Sequence, residues 1–209
     1  MNANRHVTLF HAPHTRSTGA LILLKELNAD YHLQVLNFKV GEHRNTEYLA
    51  INPMGKVPAL MHSDVLITEQ VAIFLYLSDL YSEAKLAPEI GDPLRGSYLR
   101  WMVFYGSCFE PAIVDRALKR EPGAQGMSPY GDYDTTFKTL IDQLSRGEYF
   151  LGDTFTSLDL LWGTALSWIT MFKLIPPLPV IQTYIDRINA RPSVIWAREK
   201  DAELAASHN

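Results

Sequence analysis

Only one cysteine, Cys108, occurs in 209 residues. That excludes an intrachain disulfide framework and suits a reducing compartment. Long apolar runs are missing too. No stretch reaches the roughly 18 uncharged apolar residues that a membrane span needs, so no membrane association is expected. The opening residues Met1-Asn2-Ala3-Asn4-Arg5-His6 run into a strand pattern without the apolar core of a secretion signal, and a cytoplasmic location is the expectation. Positive charge is scarce: 19 Lys and Arg stand against 23 Asp and Glu, for a net charge of −4. With no large basic block, nucleic acid is not an expected partner. Internal repeats and low-complexity tracts are absent. So are the H-E-x-x-H, Walker A, G-x-G-x-x-G and G-x-S-x-G patterns. His11-x-x-His14 has no nearby Cys or acidic partner to complete a ligand set. Neither a metal nor a nucleotide is expected.

What is present reads as a globular protein. The 47% hydrophobic and 20% charged content is ordinary for a soluble fold, and the length allows one large domain or two small ones. Val7–Phe10 reads as a buried strand. Gly19–Asn28 carries Ala20, Leu21, Leu24 and Leu27 at helical spacing, with Asn28 suited to a left-handed stop. Tyr31–Phe38 alternates as a second strand. Lys39–Ile51 is polar, with room for a short helix. Val57–Met61 and Val65–Ile67 read as strands joined by a tight turn, and Gln70–Tyr81 as a helix with Val71, Phe74, Leu75 and Leu77 inward. After a Pro- and Gly-bearing stretch, Ser82–Asp92, strand signals stop. Helices are expected from Pro93 toward Lys119 and over 133–144, 157–172, 180–190 and 193–205, with loop at 121–131. Thr156-Ser157-Leu158-Asp159 has the spacing of a capping box.

The most informative segment is Asn52-Pro53-Met54-Gly55-Lys56-Val57-Pro58-Ala59-Leu60, followed by Thr68-Glu69-Gln70 at a helix start. A proline inside a strand cannot donate to the ladder and needs a reason. A cis Val57–Pro58 bond is one, because it turns the Val57 N–H and C=O toward another peptide. Thr68, Glu69 and Gln70 add acceptors and backbone donors where an amino-acid head group can be held. Together they describe a pocket for a small γ-linked peptide.

In this order, Asn52–Leu60, Thr68–Tyr76 and Phe155–Leu161 resemble the cytosolic glutathione transferases, in particular a bacterial-type, theta- or beta-like member. The resemblance covers nearly the whole chain. It implies an α+β architecture: a thioredoxin-like, glutathione-binding domain over residues 1–82, a linker at 83–92, and an all-helical domain over 93–209 that contributes an electrophile pocket. Glutathione is the implied co-substrate, a small hydrophobic electrophile the second substrate, and a homodimer the implied assembly. Val57, held by Pro58, would pair with the cysteinyl part of the tripeptide. Glu69 would receive the γ-glutamyl ammonium, and the Gln70 N–H its carboxylate, although the family usually carries Ser or Thr there. Lys56 and His43 would meet the glycyl carboxylate.

The family's activating residue is a Tyr, Ser or Cys between the first strand and first helix. Here none stands in its usual place. The serine position falls on Thr15 and the cysteine position on Arg16, with Ser17 as an alternative hydroxyl and Arg16 as a source of positive potential. Each hydroxyl is equally suited to capping the first helix. Tyr105 and Phe109, on the apolar helix after residue 93, are the expected electrophile contacts, and Cys108 is expected as a small buried hydrophobe. The function so implied is thiolate activation for attack on a hydrophobic electrophile. The alternatives are a non-catalytic glutathione- or ligand-binding protein, and a glutathione-dependent disulfide or peroxide reductase.

Overall fold

In the computed structural model, which describes residues 5–208, β1 (Val7–His11) lies inside a four-stranded sheet of order β2-β1-β3-β4. The first four residues, read above as free of a secretion signal, lie outside the described range. β1 runs parallel to β2 (Tyr31–Val35) and antiparallel to β3 (Ala59–His62), which turns back into β4 (Val65–Ile67). A parallel pair needs a crossover, and α1 (Ser17–Glu26) supplies it. Its residues Ser17–Leu24 are all buried, consistent with a run of Ala, Leu and Ile that is apolar all round. Asn28 follows with φ of 50°, the left-handed stop read from the sequence. β2 ends at Val35, earlier than expected, because Asn37 caps a 3-10 turn, Phe38–Val40, by accepting from the Lys39 N–H. A second 3-10 turn (Glu42–Arg44) and α2 (Thr46–Ile51) follow, and then, beyond β4, α3 (Gln70–Leu80). The inward residues of α3 are Ile73, Phe74 and Leu77, whereas Val71 and Leu75 are half-buried.

The helical region contains α4 (Arg95–Phe104), a π-helical turn (Tyr105–Phe109) that continues directly into α5 (Glu110–Ala117), α6 (Tyr133–Leu144), α7 (Ser157–Met171) and α8 (Pro179–Asn189). Its core gathers Trp101, Phe109 and Phe150 around the fully buried Trp162, with ring centroids 4.8–6.3 Å from that indole. The capping box at the start of α7 forms as the spacing predicts, Thr156 and Asp159 each accepting from the other's backbone. No helix among the described residues is long and apolar enough to cross a membrane.

Contacts divide the chain into two compact units: residues up to Lys85 joined by those from Ala190 onward, and Leu86–Asn189. The last helix, α9 (Pro192–Ser207), therefore belongs with the sheet, whereas the order along the chain placed it with the other helices. The cause is its face Ser193, Val194, Ala197 and Asp201, which is buried at helical spacing. Glu26 of α1 accepts from both Arg191 and Ser193, and the Lys25 ammonium lies 4.9 Å above the Trp196 ring.

Candidate functional site

Strand pairing brings four loops to one end of the sheet. His11, the last residue of β1, lies beside Val35 at the end of β2, and Phe10 pairs with Ala59 at the start of β3. Leu60 in turn pairs with Ile67 at the end of β4. Residues 12–17, 36–44, 52–58 and 68–70 all leave the sheet at this end, because a parallel and an antiparallel neighbour present opposite termini to the same edge.

The Asn52–Pro58 segment is shaped by its own polar contacts. The Lys56 carbonyl accepts from Tyr48 Oη at 2.6 Å and from Asn52 Nδ2 at 2.8 Å, and the Gly55 N–H donates to the Asn52 carbonyl at 2.9 Å. Gly55 has φ of 59°, and a methyl group there would lie 2.7 Å from the His43 carbonyl oxygen. Only glycine permits that approach, which joins the Asn52 turn to the His43 turn. The Val57–Pro58 peptide is cis, as the sequence reading anticipated. Since the β3 ladder starts at Ala59, the Val57 backbone stands outside it, while its side chain packs on the Phe10, Leu36, Tyr48 and Ala59 cluster. The Lys56 side chain is exposed. The His43 ring lies tilted against Phe38 with centroids 3.9 Å apart, and its Nδ1 is buried with no hydrogen-bond partner.

Glu69 is exposed and sits at the cap of α3 with φ of 62° and ψ of 117°. This is a strained region for a residue with a side chain, and such strain gathers at ligand sites. Gln70, the first residue of α3, donates from Nε2 to the Arg16 carbonyl at 3.2 Å, tying α3 to the loop after β1; its Oε1 is buried and unpartnered. Arg16 itself is exposed at the cap of α1.

The two hydroxyls weighed in the sequence occupy different depths. Thr15 is half-buried and Ser17 fully buried. They are nonetheless directly joined, with 2.7 Å between Thr15 Oγ1 and Ser17 Oγ. Behind them lies an arrangement that sequence reading missed. Ser17 Oγ is 2.8 Å from His11 Nδ1, and His11 Nε2 is 3.0 Å from Asp201 Oδ1. His11 is 0% and Asp201 1% exposed. Asp201 Oδ2 accepts from Thr18 Oγ1 at 2.6 Å and from the His14 N–H at 2.8 Å. The His11-x-x-His14 spacing was the available signal. Its acidic partner comes from a helix 190 residues further on, and among the described residues no group of three or more His, Cys, Asp or Glu is arranged to hold a metal.

Burial alone would raise the Asp201 carboxyl, but His11, the Thr18 hydroxyl and the His14 amide outweigh it and hold the group below its ordinary value. A depressed folded value means that Asp201 contributes its full stability above the unfolded carboxylate value of about 3.9 and loses it as pH falls through the folded value. Urea unfolding of the protein followed downward from pH 5 should therefore show an acid limb that Asp201→Asn makes shallower.

Tyr105 and Phe109 are core residues. Tyr105 is 4% and Phe109 0% exposed, and both rings lie against Trp162. The open face of the same helical stretch is a surface groove of about 430 Å³ lined by Leu99, Arg100, Val103, Phe104, Ser107 and Cys108. Cys108 is half-exposed rather than buried, its thiol 3.6 Å from the Pro129 carbonyl.

The sheet order, the cis proline before β3 and the cap of α3 define a thioredoxin-like domain followed by a bundle of helices. Comparison with known proteins gives the family. Residues 5–79 match the glutathione S-transferase N-terminal domain. Glutathione S-transferase 2 of Schizosaccharomyces pombe is 30% identical, across 97% of this chain and 99% of its own. Among solved structures, a glutathione transferase from Methylococcus capsulatus superposes with a TM-score of 0.78 at 27% identity, covering 94% of this chain and 99% of that one. A sphingomonad glutathione S-transferase complexed with glutathione does so with a TM-score of 0.77 at 28% identity, over 93% and 98%. The chain belongs to the glutathione S-transferase family.

Proposed function

We propose that this protein is a glutathione transferase that ionises the glutathione thiol beside Thr15 and delivers it to a hydrophobic electrophile. The observation that carries the reading is the convergence of the 12–17, 52–58 and 68–70 segments at one sheet end, with the half-buried Thr15 in the first of them. Glutathione bound in the sphingomonad relative supports the same ligand here. In this reading the Val57 backbone pairs with the cysteinyl residue, Glu69 takes the γ-glutamyl ammonium and the Gln70 N–H its carboxylate, while Lys56 and His43 meet the glycyl end. The positive ends of the first turns of α1 and α3 add to the pull on the two anionic groups. A homodimer in the cytoplasm is part of the proposal, supported by the family and by the lone free cysteine.

A glutathione-type thiol has a pKa of about 8.5. Lowering it by about two units requires roughly 2.7 kcal/mol in favour of the thiolate. A hydroxyl donating to the sulfur supplies about 1.5–3 kcal/mol of that. Ultraviolet titration of the glutathione complex should show a thiolate band at neutral pH, and Thr15→Ala should lower kcat/KM for aryl-halide conjugation by roughly 10- to 100-fold. A complex without thiolate at neutral pH would favour a carrier instead, and faster disulfide or hydroperoxide reduction than conjugation a reductase.

A further inference from the structure

We propose that Asp201, His11 and Ser17 form a buried proton relay behind Thr15, so that the thiol proton of bound glutathione is kept inside the protein on His11 rather than expelled to solvent. The inference rests on the transferase reading above and adds to it the destination of the proton. Its basis is a line of polar atoms: two hydrogen bonds, Thr15 Oγ1 to Ser17 Oγ at 2.7 Å and Ser17 Oγ to His11 Nδ1 at 2.8 Å, and then an ion-pair contact from His11 Nε2 to Asp201 Oδ1 at 3.0 Å that lacks hydrogen-bond geometry.

The line works in two directions because each hydroxyl has one proton and fixed neighbours. Ser17 Oγ accepts from the Ala12 N–H at 3.1 Å, and Thr15 Oγ1 from the Ser17 N–H at 3.2 Å. Each oxygen keeps one further lone pair and one proton. With neutral His11 protonated on Nε2, Ser17 donates to Nδ1 and Thr15 donates to Ser17. The outward lone pair of Thr15 then accepts the thiol S–H.

Transfer reverses every link. The S–H bond breaks as a proton joins Thr15 Oγ1. The original Thr15 proton passes to Ser17 Oγ, and the original Ser17 proton passes to His11 Nδ1. The products are a thiolate, two intact hydroxyls and an imidazolium facing the Asp201 carboxylate, with no net change in charge. Thr15 now donates to the thiolate, so the same transfer makes the anion and supplies its hydrogen bond. The Ala12 carbonyl is a competing acceptor for both hydroxyl protons, 2.8 Å from Thr15 Oγ1 and 3.2 Å from Ser17 Oγ.

Asp201 suits the part of a fixed counter-charge. Thr18 and the His14 amide occupy Oδ2, leaving Oδ1 to face His11, and a buried carboxylate beside an imidazole stabilises the imidazolium. His14, exposed, also faces the carboxylate, with Nδ1 3.9 Å from Oδ2. His11 and Asp201 do not touch the substrate in this scheme. They are positioning residues that act through Ser17 and Thr15.

The test counts protons. Glutathione binding to the protein at pH 7 is measured by calorimetry in buffers of different ionisation enthalpy, alongside the ultraviolet thiolate band and ¹⁵N spectra of ring-labelled histidine. The relay predicts a thiolate band with almost no proton released to buffer. It also predicts one buried imidazole becoming doubly protonated with glutathione but not with S-methylglutathione, which has no thiol proton to give. Asp201→Asn and His11→Gln should each raise the pH midpoint of the thiolate band by about one unit, a roughly threefold loss of thiolate at pH 7, with S-methylglutathione still bound. Should the His11 variant not fold, Ser17→Ala breaks the line at its middle and should abolish the histidine signal. A full thiolate band with one proton released and unchanged histidines would overturn the relay and leave the transferase reading standing. No thiolate band in the unaltered protein would overturn the transferase reading itself.

Discussion

Asp159→Ala is expected to destabilise the helical unit by about 3–5 kcal/mol, because it strands several buried donors at once. Asp159 is 0% exposed. Its Oδ1 accepts from the Phe150 N–H at 2.8 Å and from Tyr184 Oη at 2.9 Å, and its Oδ2 accepts from the Thr156 N–H at 2.9 Å. One carboxylate thus joins the start of α7, the turn before it and α8. Each buried donor left unpaired costs about 1–3 kcal/mol, which exceeds the roughly 1 kcal/mol of an ordinary helix cap. At this chain length the loss corresponds to a fall in Tm of roughly 6–20 °C. Asp159→Asn should be milder but still destabilising: whichever oxygen becomes the amide nitrogen, a donor then faces a donor. Burial raises the Asp159 carboxyl above its ordinary range despite these hydrogen bonds, and burial followed by the Asp159 charge drives the Tyr184 hydroxyl further up, so that it remains a donor at all working pH values. Thermal unfolding of the two variants, with Thr156→Ala for scale, checks the ranking.

The second large effect is expected at Gly163, on the buried face of α7. A methyl group there would lie 2.6 Å from both Cγ atoms of Ile188 and 2.7 Å from its Cβ. These atoms belong to a β-branched, fully buried side chain of α8, and rotation about χ1 cannot move the Cβ. The helices must therefore separate. Gly163→Ala should cost about 3 kcal/mol, the upper range for overpacking, even though alanine is the better helix former by about 1 kcal/mol. Denaturant unfolding would show the sign: a shift of the midpoint to lower urea with little change in slope. A neutral or stabilising result would mean that α7 and α8 are not packed this closely.

Much of the fold was legible because its signals are local. The period-2 pattern of Tyr31–Val35, the exact extent of Val65–Ile67, the left-handed Asn28 and the Thr156–Asp159 capping box each depend on a few adjacent residues. Helix ends moved by one or two residues, as frayed ends do. β3 began two residues later than its apolar run, since Val57 and Pro58 stand outside the ladder. Tyr105 and Phe109 show the limit of helical periodicity. The stretch is apolar almost all round, so the pattern could not separate the face on Trp162 from the open groove face carrying Leu99 and Val103.

By itself, the order of residues determined the element sequence, the cis-proline segment ahead of β3 and the family, because strands, caps and proline geometry are written in neighbouring side chains. The tertiary structure decided the rest. It drew α9 onto α1 and set Asp201 against His11, and it chose which aromatic residues of the α4–α5 stretch are core. Those outcomes depend on burying apolar faces from distant parts of the chain together, and burial is settled only when the faces meet.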